Sequence, residues 1–346
     1  MSIDEPVLSL DILGGDDVAG SNCVLRQNKT TLLGRGPYDY CQSMRDEMVV
    51  NKGYTLPPYY QEEWAFNKKN YWTPKELLNL ETWFSPEYFH AETNNPTLCI
   101  QMENQSTTDI ASGDATQNTT VNMATLTTTA GRHRGLTVVD FDGTGDRYLL
   151  DAASDWNTGT ANWFCCIMLH GSHNDTDDVQ HIVQKGAKFE LTHDWSGTNR
   201  NAVFNYNDGS TSATLTAADG AMMSELPSIF TFGRNASEMF LRVLSPLYGS
   251  LPTTPVLITG SGGRLSGSFD QTSKPKIGYE TGIGTAKFYD GEFVELIFVN
   301  DNSRPTSEAT DAYMEKVEGY LAHKYGVSKE ILTAAHTYSE HPPRET

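Results

Sequence analysis

The sequence predicts an all-β protein: an antiparallel jelly-roll sandwich with one C-terminal amphipathic helix and an extended N-terminal arm. Gly, Thr, Ser and Asn recur along most of the chain, which favours short strands with many turns. About a dozen short apolar runs are separated by turn residues, and one late stretch has helical periodicity. The 346 residues suffice to bury a large core.

The apolar runs have strand length and are bounded by Gly, Asn or Asp. They cover residues 97–102, 136–141, 147–151, 163–169, 181–185, 188–193, 202–207, 229–234, 238–244, 274–279 and 288–299. The polar segments 207–210 and 289–292 both contain Asp-Gly and indicate hairpin turns. The Gly-rich segment 259–264 is predicted to be a flexible loop between strands. The pair Cys165-Cys166 lies within an unbroken apolar run and is expected in a buried strand.

Helix signals occur at two places. Thr73 before Pro74 resembles an N-cap with Pro at the first helical position, so a short helical turn is expected there. Near the end, apolar residues at helical spacing predict a helix over 306–325, capped by Thr306 or Ser307 and ended by Gly326. The polar, Pro-containing tail 327–346 is expected to lie along the surface.

Residues 1–70 differ from the rest, because they are rich in Gly and Pro but have only scattered apolar residues. They are also unusually aromatic, and the rings proposed as anchors are Tyr38, Tyr40, Tyr54, Tyr59, Tyr60 and Trp64. Such a segment becomes ordered by packing on its own domain or on a neighbouring subunit. We therefore predict an attachment arm over 1–70 and a jelly-roll domain over 71–346.

Charge and cysteine content narrow the function. The chain has 25 Lys and Arg against 44 Asp and Glu, a net charge of -19, without a basic cluster, so direct nucleic-acid binding is not expected. No apolar run is long enough for a signal peptide or a membrane span, which predicts synthesis in a cytosol and no membrane partner. The five irregularly spaced cysteines are expected to be reduced thiols.

Three stretches carry a resemblance to a known family. Residues 316–327 with the Pro342-Pro343 tail, residues 138–149 with Phe141-Asp142-Gly143, and the opening Trp72-Thr73-Pro74 resemble concanavalin A-like lectin/glucanase (laminin-G-like) modules of phage and marine bacterial structural proteins. The resemblance spans about residue 72 to the C-terminus and implies the jelly-roll sandwich. The family's Trp-x-Asp-x-Ser-Gly strand is absent, since residues 102–106 stand in its place. The same sandwich carries lectins, glycosidases and architectural modules.

Two groups of acidic residues are candidates for metal binding or catalysis. Residues 140–151 have the Asp spacing of a calcium loop, but the flanks are predicted strands; a turn without metal is favoured, and a surface calcium site is the alternative. No cofactor is predicted. Glu292 and Glu295 are the best candidates for paired catalytic carboxylates, yet at three positions apart they are expected on opposite faces of a strand. No other catalytic motif occurs, so the chain is predicted not to be an enzyme.

These observations together predict an exterior structural protein, of decoration or cement type, on a bacteriophage virion. The arm would bind capsid, connector or tail subunits, and the chain would be a homo-oligomer on the particle. The alternative is a tail-fibre or adhesin module that binds host polysaccharide, in which Trp195 and Trp156 would stack on sugars.

Overall fold

The computed structural model describes residues 72–106, 113–128, 133, 136–171, 179–194, 201–217, 227–235, 238–246, 255–264, 267–280, 287–302 and 307–344. The chain divides into two compact units, one of residues 73–127 with 137–342 and one of residues 1–72, 128–136 and 343–346. Every strand and helix given below belongs to the first unit. The predicted arm, residues 1–70, and its anchor residues lie outside the described part, so the domain boundary and the anchors stay predictions.

Eighteen strands are present in the described residues. In chain order they are β1 Leu80–Ala91, β2 Cys99–Asn104, β3 Ala115–Thr116, β4 Thr125–Thr127, β5 Val138–Asp142, β6 Tyr148–Leu150, β7 Trp163–Gly171, β8 Val179–Lys185, β9 Phe189–Asp194, β10 Asn201–Asn207, β11 Ser212–Thr216, β12 Pro227–Asn235, β13 Glu238–Pro246, β14 Pro255–Arg264, β15 Lys276–Ile277, β16 Tyr279–Glu280, β17 Lys287–Phe288 and β18 Asp290–Asn300.

The strands pair antiparallel along one continuous path. Its order is β11-β10-β9-β8-β15-β6-β3-β2-β1-β18-β7-β12-β13-β14, with β5 attached to β18, β4 attached to β5, and β16-β17 forming a separate pair. The path folds back on itself, since Trp163 of β7 stacks on Phe189 of β9 with ring centroids 4.8 Å apart and meets Phe204 of β10 edge-on. One apolar core therefore lies between the two halves of the folded-back sheet. The predicted all-β jelly-roll class with one long helix is confirmed.

Local signals explain several elements. Thr73 and Glu76 form the capping box of a 3-10 turn over Pro74–Glu76, as the Thr-Pro signal predicts. The hairpin between β10 and β11 turns through Gly209 at a φ of 95°, as its Asp-Gly predicts. Cys165 and Cys166 lie in the fully buried β7. Together with the buried Cys99 they are free thiols.

Other expectations were wrong. The twelve-residue β1 was not predicted, although it pairs with β18 and β2 near the middle of the path. The Gly-rich segment 259–264 is part of β14, because its backbone pairs along β13. The segment 289–292 does not turn but runs into β18, where Gly291 pairs with Phe141 on one side and Gly171 on the other.

The helix is shorter than predicted and its tail is more buried. Helix α1 spans Asp311–Lys324 and a short helix α2 spans Ser328–Ile331; Gly326 ends α1 at a φ of 74°. The helix starts late because the carboxylate of Asp301 accepts from the backbone N–H of Glu308 and from the hydroxyl of Ser307, which holds residues 307–309 outside the helix. Residues of the tail are not all on the surface, since His336 is buried against Glu318.

Buried charges attach α1 to the sheet. Arg242 of β13 donates two hydrogen bonds of 3.0 Å to the carboxylate of Glu318 on α1. Lys324 donates to Glu295 of β18 at 2.7 Å and to Glu87 of β1 at 3.1 Å. Paired, hydrogen-bonded charges of this kind are tolerated in an interior, whereas single ones are not. Among the described residues, no helix is long and apolar enough to cross a membrane.

Candidate functional site

The outward face of strands β8, β9 and β10 carries a row of polar side chains. Along β9 the residues alternate, so that Phe189 and Leu191 point into the core and Glu190 between them faces out. Glu190 lies opposite Asn205 on β10 and opposite Gln184 on β8. The register of the strands thus places one carboxylate between two amides.

Hydrogen bonds fix the orientation of these groups. Asn205 donates from Nδ2 to Glu190 Oε1 at 2.8 Å, and Gln184 Nε2 lies 3.4 Å from Glu190 Oε2. Thr214 of β11 donates to the amide oxygen of Asn205 at 2.6 Å. His181 Nδ1 lies 3.5 Å from Glu190 Oε2. The donors and acceptors at the centre of the row are therefore held in place before any ligand arrives.

This row lines a cleft of about 700 Å³. Its walls come from strands β8 to β11 and the turns between them. The segment that leads into β15 adds Ser273 and Lys276. The lining residues are Gln184, Gly186, Ala187, Lys188, Phe189, Glu190, Asn205, Tyr206, Asn207, Ser212, Ala213, Thr214, Ser273 and Lys276. Amides, hydroxyls, ammonium groups and a carboxylate thus converge on one concave surface, as is typical of sites for polar small molecules.

The turn at one end of the cleft is rigid. Asp208, in the β10–β11 hairpin, accepts hydrogen bonds from the backbone N–H groups of Ser210, Thr211 and Gly267 at 2.7–2.8 Å. Burial alone would raise the pKa of Asp208, but these donors hold it well below the usual range of an aspartate. The carboxylate stays ionised and keeps the hairpin against the segment at 267, which fixes one wall.

The outward row continues beyond the cleft and is polar there except at Leu149. Strand pairing places Lys276 of β15 next to Gln184, Leu149 of β6 next to Lys276, and Thr116 of β3 next to Leu149. Gln101 of β2 follows Thr116, and His90 of β1 follows Gln101. Neighbouring strands are about 4.8 Å apart, and each strand from β11 to β1 contributes one residue. The row therefore crosses the whole outer face of this half of the sheet.

The aromatic residues predicted to bind sugars are not part of this cleft. Trp195 lies outside the described residues. Trp156 is fully buried: its ring stacks on Phe298 at 5.0 Å between centroids, and its N–H donates to Thr82 at 3.0 Å. The prediction that Trp156 stacks on a ligand is therefore corrected, because both faces of its ring belong to the core. Its φ of 59°, unusual for a bulky residue, accompanies this inward placement.

The Asp-rich turn after β5 is occupied by its own donors. Asp142 accepts from the backbone N–H of Thr144 at 2.8 Å and of Gly145 at 3.0 Å, and from the Thr144 hydroxyl at 2.7 Å. Burial opposes ionisation, but these hydrogen bonds lower the pKa of Asp142. Asp151 accepts from the hydroxyl of Thr116 at 3.2 Å. Within the described ranges, no three His, Cys, Asp or Glu side chains are grouped to hold a metal ion.

The expected separation of Glu292 and Glu295 was wrong. A β-bulge in β18 at Val294 inserts one residue, so Glu292 lies opposite His170 and Glu295 opposite Met168, two positions apart on β7. The two glutamates therefore share a face. Glu295 is fully buried and accepts from Trp83 Nε1 at 2.6 Å and from Lys324, which gives it a structural role.

Comparison with known proteins gives likeness in fold. No protein-family model matches the chain, and no curated protein matches it. Among solved structures, the enzymatically active domain of tailspike protein 2 from bacteriophage CBA120 is similar, with 12% identity, a TM-score of 0.38, and coverage of 61% of this chain and 28% of that one. An arabinofuranosidase complexed with arabinofuranosyl-α-1,2-xylobiose has 17% identity, a TM-score of 0.44, and coverage of 66% and 51%.

Domains LG4-5 of the mouse laminin α1 chain are also similar, with 13% identity, a TM-score of 0.34, and coverage of 48% of this chain and 42% of that one. The chain covers less than two thirds of the length of each of these three structures. The three structures are thus domains of a tailspike, a glycosidase and a laminin. They identify no substrate and no site residue in this chain.

The prediction that the chain is not an enzyme was wrong. The tailspike domain is described as enzymatically active, and the arabinofuranosidase is a glycoside hydrolase, so the fold neighbours include enzymes. The absence of a familiar motif in the sequence was not a sound reason to exclude catalysis, because catalytic groups are brought together by the fold and not by sequence spacing.

The cleft residues were missed in the sequence for an identifiable reason. The strands were predicted over 188–193 and 202–207, and the alternation of apolar and polar residues in both was visible. What single-sequence reasoning lacked was the pairing of β9 with β10 and β8, which brings Glu190, Asn205 and Gln184 together. The outward polar positions of two adjacent predicted strands were the available signal.

Proposed function

We propose that this chain is a polysaccharide-binding module and that the cleft over β8 to β11 is its binding site. One observation carries the proposal: Gln184, Glu190 and Asn205, on three neighbouring strands, present fixed hydrogen-bonding groups along the floor of the cleft. Sugars offer dense arrays of hydroxyl groups that both donate and accept. Carboxylate and amide groups suit such ligands because each carries several hydrogen-bonding positions in one plane.

The arrangement supports binding because the side chains on the floor of the cleft are already ordered in the free protein. Thr214 holds Asn205, and Asn205 holds Glu190, so the side chains lose little conformational entropy when a ligand binds. Each group also keeps acceptor positions that the intramolecular bonds do not use, since a carboxylate accepts about four hydrogen bonds. The outward row from Thr214 to His90 gives room for more than one sugar unit.

The cleft favours the second of the two functions predicted from the sequence, an adhesin-type module that recognises host polysaccharide. A virion location remains part of the proposal and is supported by the family resemblance of residues 138–149 and 316–327. The likeness to a phage tailspike concerns the fold alone and does not bear on the location. Decoration of a capsid through residues 1–70 stays a prediction, because that segment lies outside the described residues.

A polysaccharide array with the purified chain tests the proposal. Asn205→Ala removes a floor amide and should weaken binding roughly tenfold to a hundredfold, as expected for one or two hydrogen bonds. Thr216→Ala is the matched control, since Thr216 is exposed on β11 but does not line the cleft. The same samples should be assayed for release of reducing ends, so that binding and hydrolysis are measured together.

A set of chemically related hits that Asn205→Ala loses and Thr216→Ala keeps would support the site. Reproducible binding that neither substitution changes would place the binding site elsewhere and refute the cleft. No binding to any polysaccharide would refute the proposed function.

A further inference from the structure

The cleft differs from the rest of the protein in charge. Its lining contains two lysines, Lys188 and Lys276, and one carboxylate, Glu190. The chain as a whole has 44 acidic and 25 basic residues and a net charge of -19. Among the lining side chains positive charge therefore exceeds negative charge, although the ionised Asp208 stands behind the end wall, bonded to three backbone N–H groups. A concave surface concentrates the field of the charges that line it.

Lys188 is held at the edge of the cleft beside Glu190. It lies immediately before β9, two residues from Glu190, and its ammonium donates to the backbone carbonyl of Ser268 at 2.9 Å. A Cβ at Gly209 would lie only 3.4 Å from the same ammonium, so the β10–β11 hairpin passes close by. An ammonium donates up to three hydrogen bonds, and the bond to Ser268 leaves capacity for a ligand.

Lys276 lies on the other side of the carboxylate. It is on β15, opposite Gln184, which in turn is opposite Glu190, so two strand spacings separate Lys276 from Glu190. Its ammonium is 5.2 Å from the centroid of the Tyr279 ring, a distance at which the ring face attracts a cation. The long lysine side chain is thereby directed across the surface. Both lysines line the cleft together with Gln184 and Glu190.

We infer that the cleft takes an anionic polysaccharide, with Lys188 and Lys276 binding its carboxylate or sulfate groups and Glu190 with its amide neighbours binding its hydroxyls. This inference rests on the proposed function, since it names the class of polysaccharide. Lysine ammonium groups bind such anions as point charges, without the planar fit that an arginine would impose. The anionic groups of the ligand would then meet the two lysines, and its hydroxyl groups would meet the polar residues between them.

The net negative charge of the protein does not oppose this assignment at physiological salt. Charges separated by more than the screening length of about 8–10 Å interact weakly, whereas a bound anion touches the cleft lysines directly. The balance changes with ionic strength, and added salt should weaken the lysine contacts themselves. The inference therefore predicts a salt-dependent affinity, which a neutral polysaccharide would not show.

The test uses the full chain and four probes in titration calorimetry. Two are anionic, polygalacturonate and dextran sulfate, and two are their neutral counterparts, carboxyl-reduced polygalacturonate and dextran. The variants are Lys276→Gln and Lys188→Gln. Lys274→Gln is the matched control, because Lys274 is exposed two residues from Lys276 but does not line the cleft. Lys276→Arg keeps the charge. Circular dichroism of each variant confirms that it is folded.

We expect at least one anionic probe to bind, with affinity falling about tenfold in each glutamine variant of the cleft lysines, as is typical of a lost charged contact, and unchanged in Lys274→Gln and Lys276→Arg. Preference for polygalacturonate over dextran sulfate would assign carboxylate, and the reverse would assign sulfate. Tighter binding of a neutral probe, unaffected by both lysine substitutions but weakened by Asn205→Ala, would overturn the anionic class and leave the proposed function standing. Binding of none of the four probes, together with an empty polysaccharide array, would overturn both.

Discussion

The ammonium of Lys324 is predicted to be the most important single charge in the attachment of helix α1. It is 4% exposed and lies 2.7 Å from Glu295 and 3.1 Å from Glu87, and it also donates to Ser85 at 2.8 Å. Burial alone would lower the pKa of Lys324, but the two carboxylates raise it above its usual value. The side chain is therefore charged in the folded protein and neutralises carboxylates that have little access to water.

Lys324→Met removes this charge while keeping most of the side-chain volume. Removing one partner of a buried ion pair costs about 3–5 kcal/mol, because the remaining charge is left uncompensated. For a domain of this size, about 2–4 °C of melting temperature corresponds to each kcal/mol, so the loss should be roughly 6–20 °C. Lys316→Met on the same helix is the control and should cost under about 1 kcal/mol, since Lys316 is only partly buried.

The pH dependence gives a second test of the same variant. Burial raises the pKa of Glu295 even with Lys324 present. Without the ammonium that pKa rises further, so the folded state binds a proton more tightly than the unfolded state does. A raised carboxylate pKa contributes stability at low pH that is lost as pH rises through the folded value. The deficit of Lys324→Met should therefore grow with pH, and the added substitution Glu295→Gln should restore part of the stability.

Urea unfolding followed by tryptophan fluorescence measures these differences. The account is refuted if Lys324→Met costs no more than Lys316→Met, or if its deficit does not change with pH. Either result would mean that Glu295 and Glu87 reach water in the folded protein.

Three further predictions concern other buried groups. Burial raises the pKa of Glu81 to about 7, so its contribution to stability falls as pH rises from 4.5 to about 7; Glu81→Gln should remove that slope in urea unfolding at several pH values, and an unchanged slope would contradict it. A Cβ at Gly233 would lie 2.2 Å from the carbonyl oxygen of Trp163, so Gly233→Ala should cost at least about 3 kcal/mol or abolish soluble expression, whereas Gly145→Ala, with its nearest atom at 3.4 Å, should be tolerated; equal melting temperatures would be the contrary result. Asp208→Ala leaves three backbone donors without their acceptor and should cost about 1–3 kcal/mol above pH 4, with the difference from the parent shrinking in acid because the depressed pKa of Asp208 contributes only where it is ionised; a pH-independent difference would refute this cause.

Periodicity was enough to predict the fold class, because strands and helices leave different spacings in the sequence. Runs such as 163–169 and 229–234 are nearly continuous in apolar residues, and both are buried strands that pair with each other. The turn at Gly209 and the stop at Gly326 were visible because a left-handed backbone strongly favours glycine.

What could not be predicted depended on pairing between distant strands. The segment 289–292 has the composition of a turn, yet Gly291 is flanked by strands from residues 141 and 171, and nothing near it in sequence reveals them. The sequence around Val294 gives no sign of the bulge either, although the bulge decides the face on which Glu295 lies. Trp156 was expected at the surface because its neighbours are polar, whereas its ring fills the core against Phe298.

The candidate site shows the same limit. The polar positions Glu190 and Asn205 are ordinary outward residues of two amphipathic strands until the register places them 2.8 Å apart. Lys276 belongs to a two-residue strand that bridges β8 and β6, so its approach to the cleft depends on tertiary structure alone. The local sequence predicts the alternation of apolar and polar residues along each strand. The order of the strands in the sheet is needed to predict the site.

Protection of Lys276 from chemical labelling tests the central claim most directly. The folded chain is treated with an amine-acetylating reagent with and without the tightest-binding polysaccharide, and acetylation at Lys276 and at the nearby Lys274 is measured by peptide mass spectrometry. A polysaccharide in the cleft should slow the labelling of Lys276 severalfold and leave Lys274 unchanged, because only Lys276 lines the cleft. Equal labelling of both lysines in the presence of a bound polysaccharide would contradict the account.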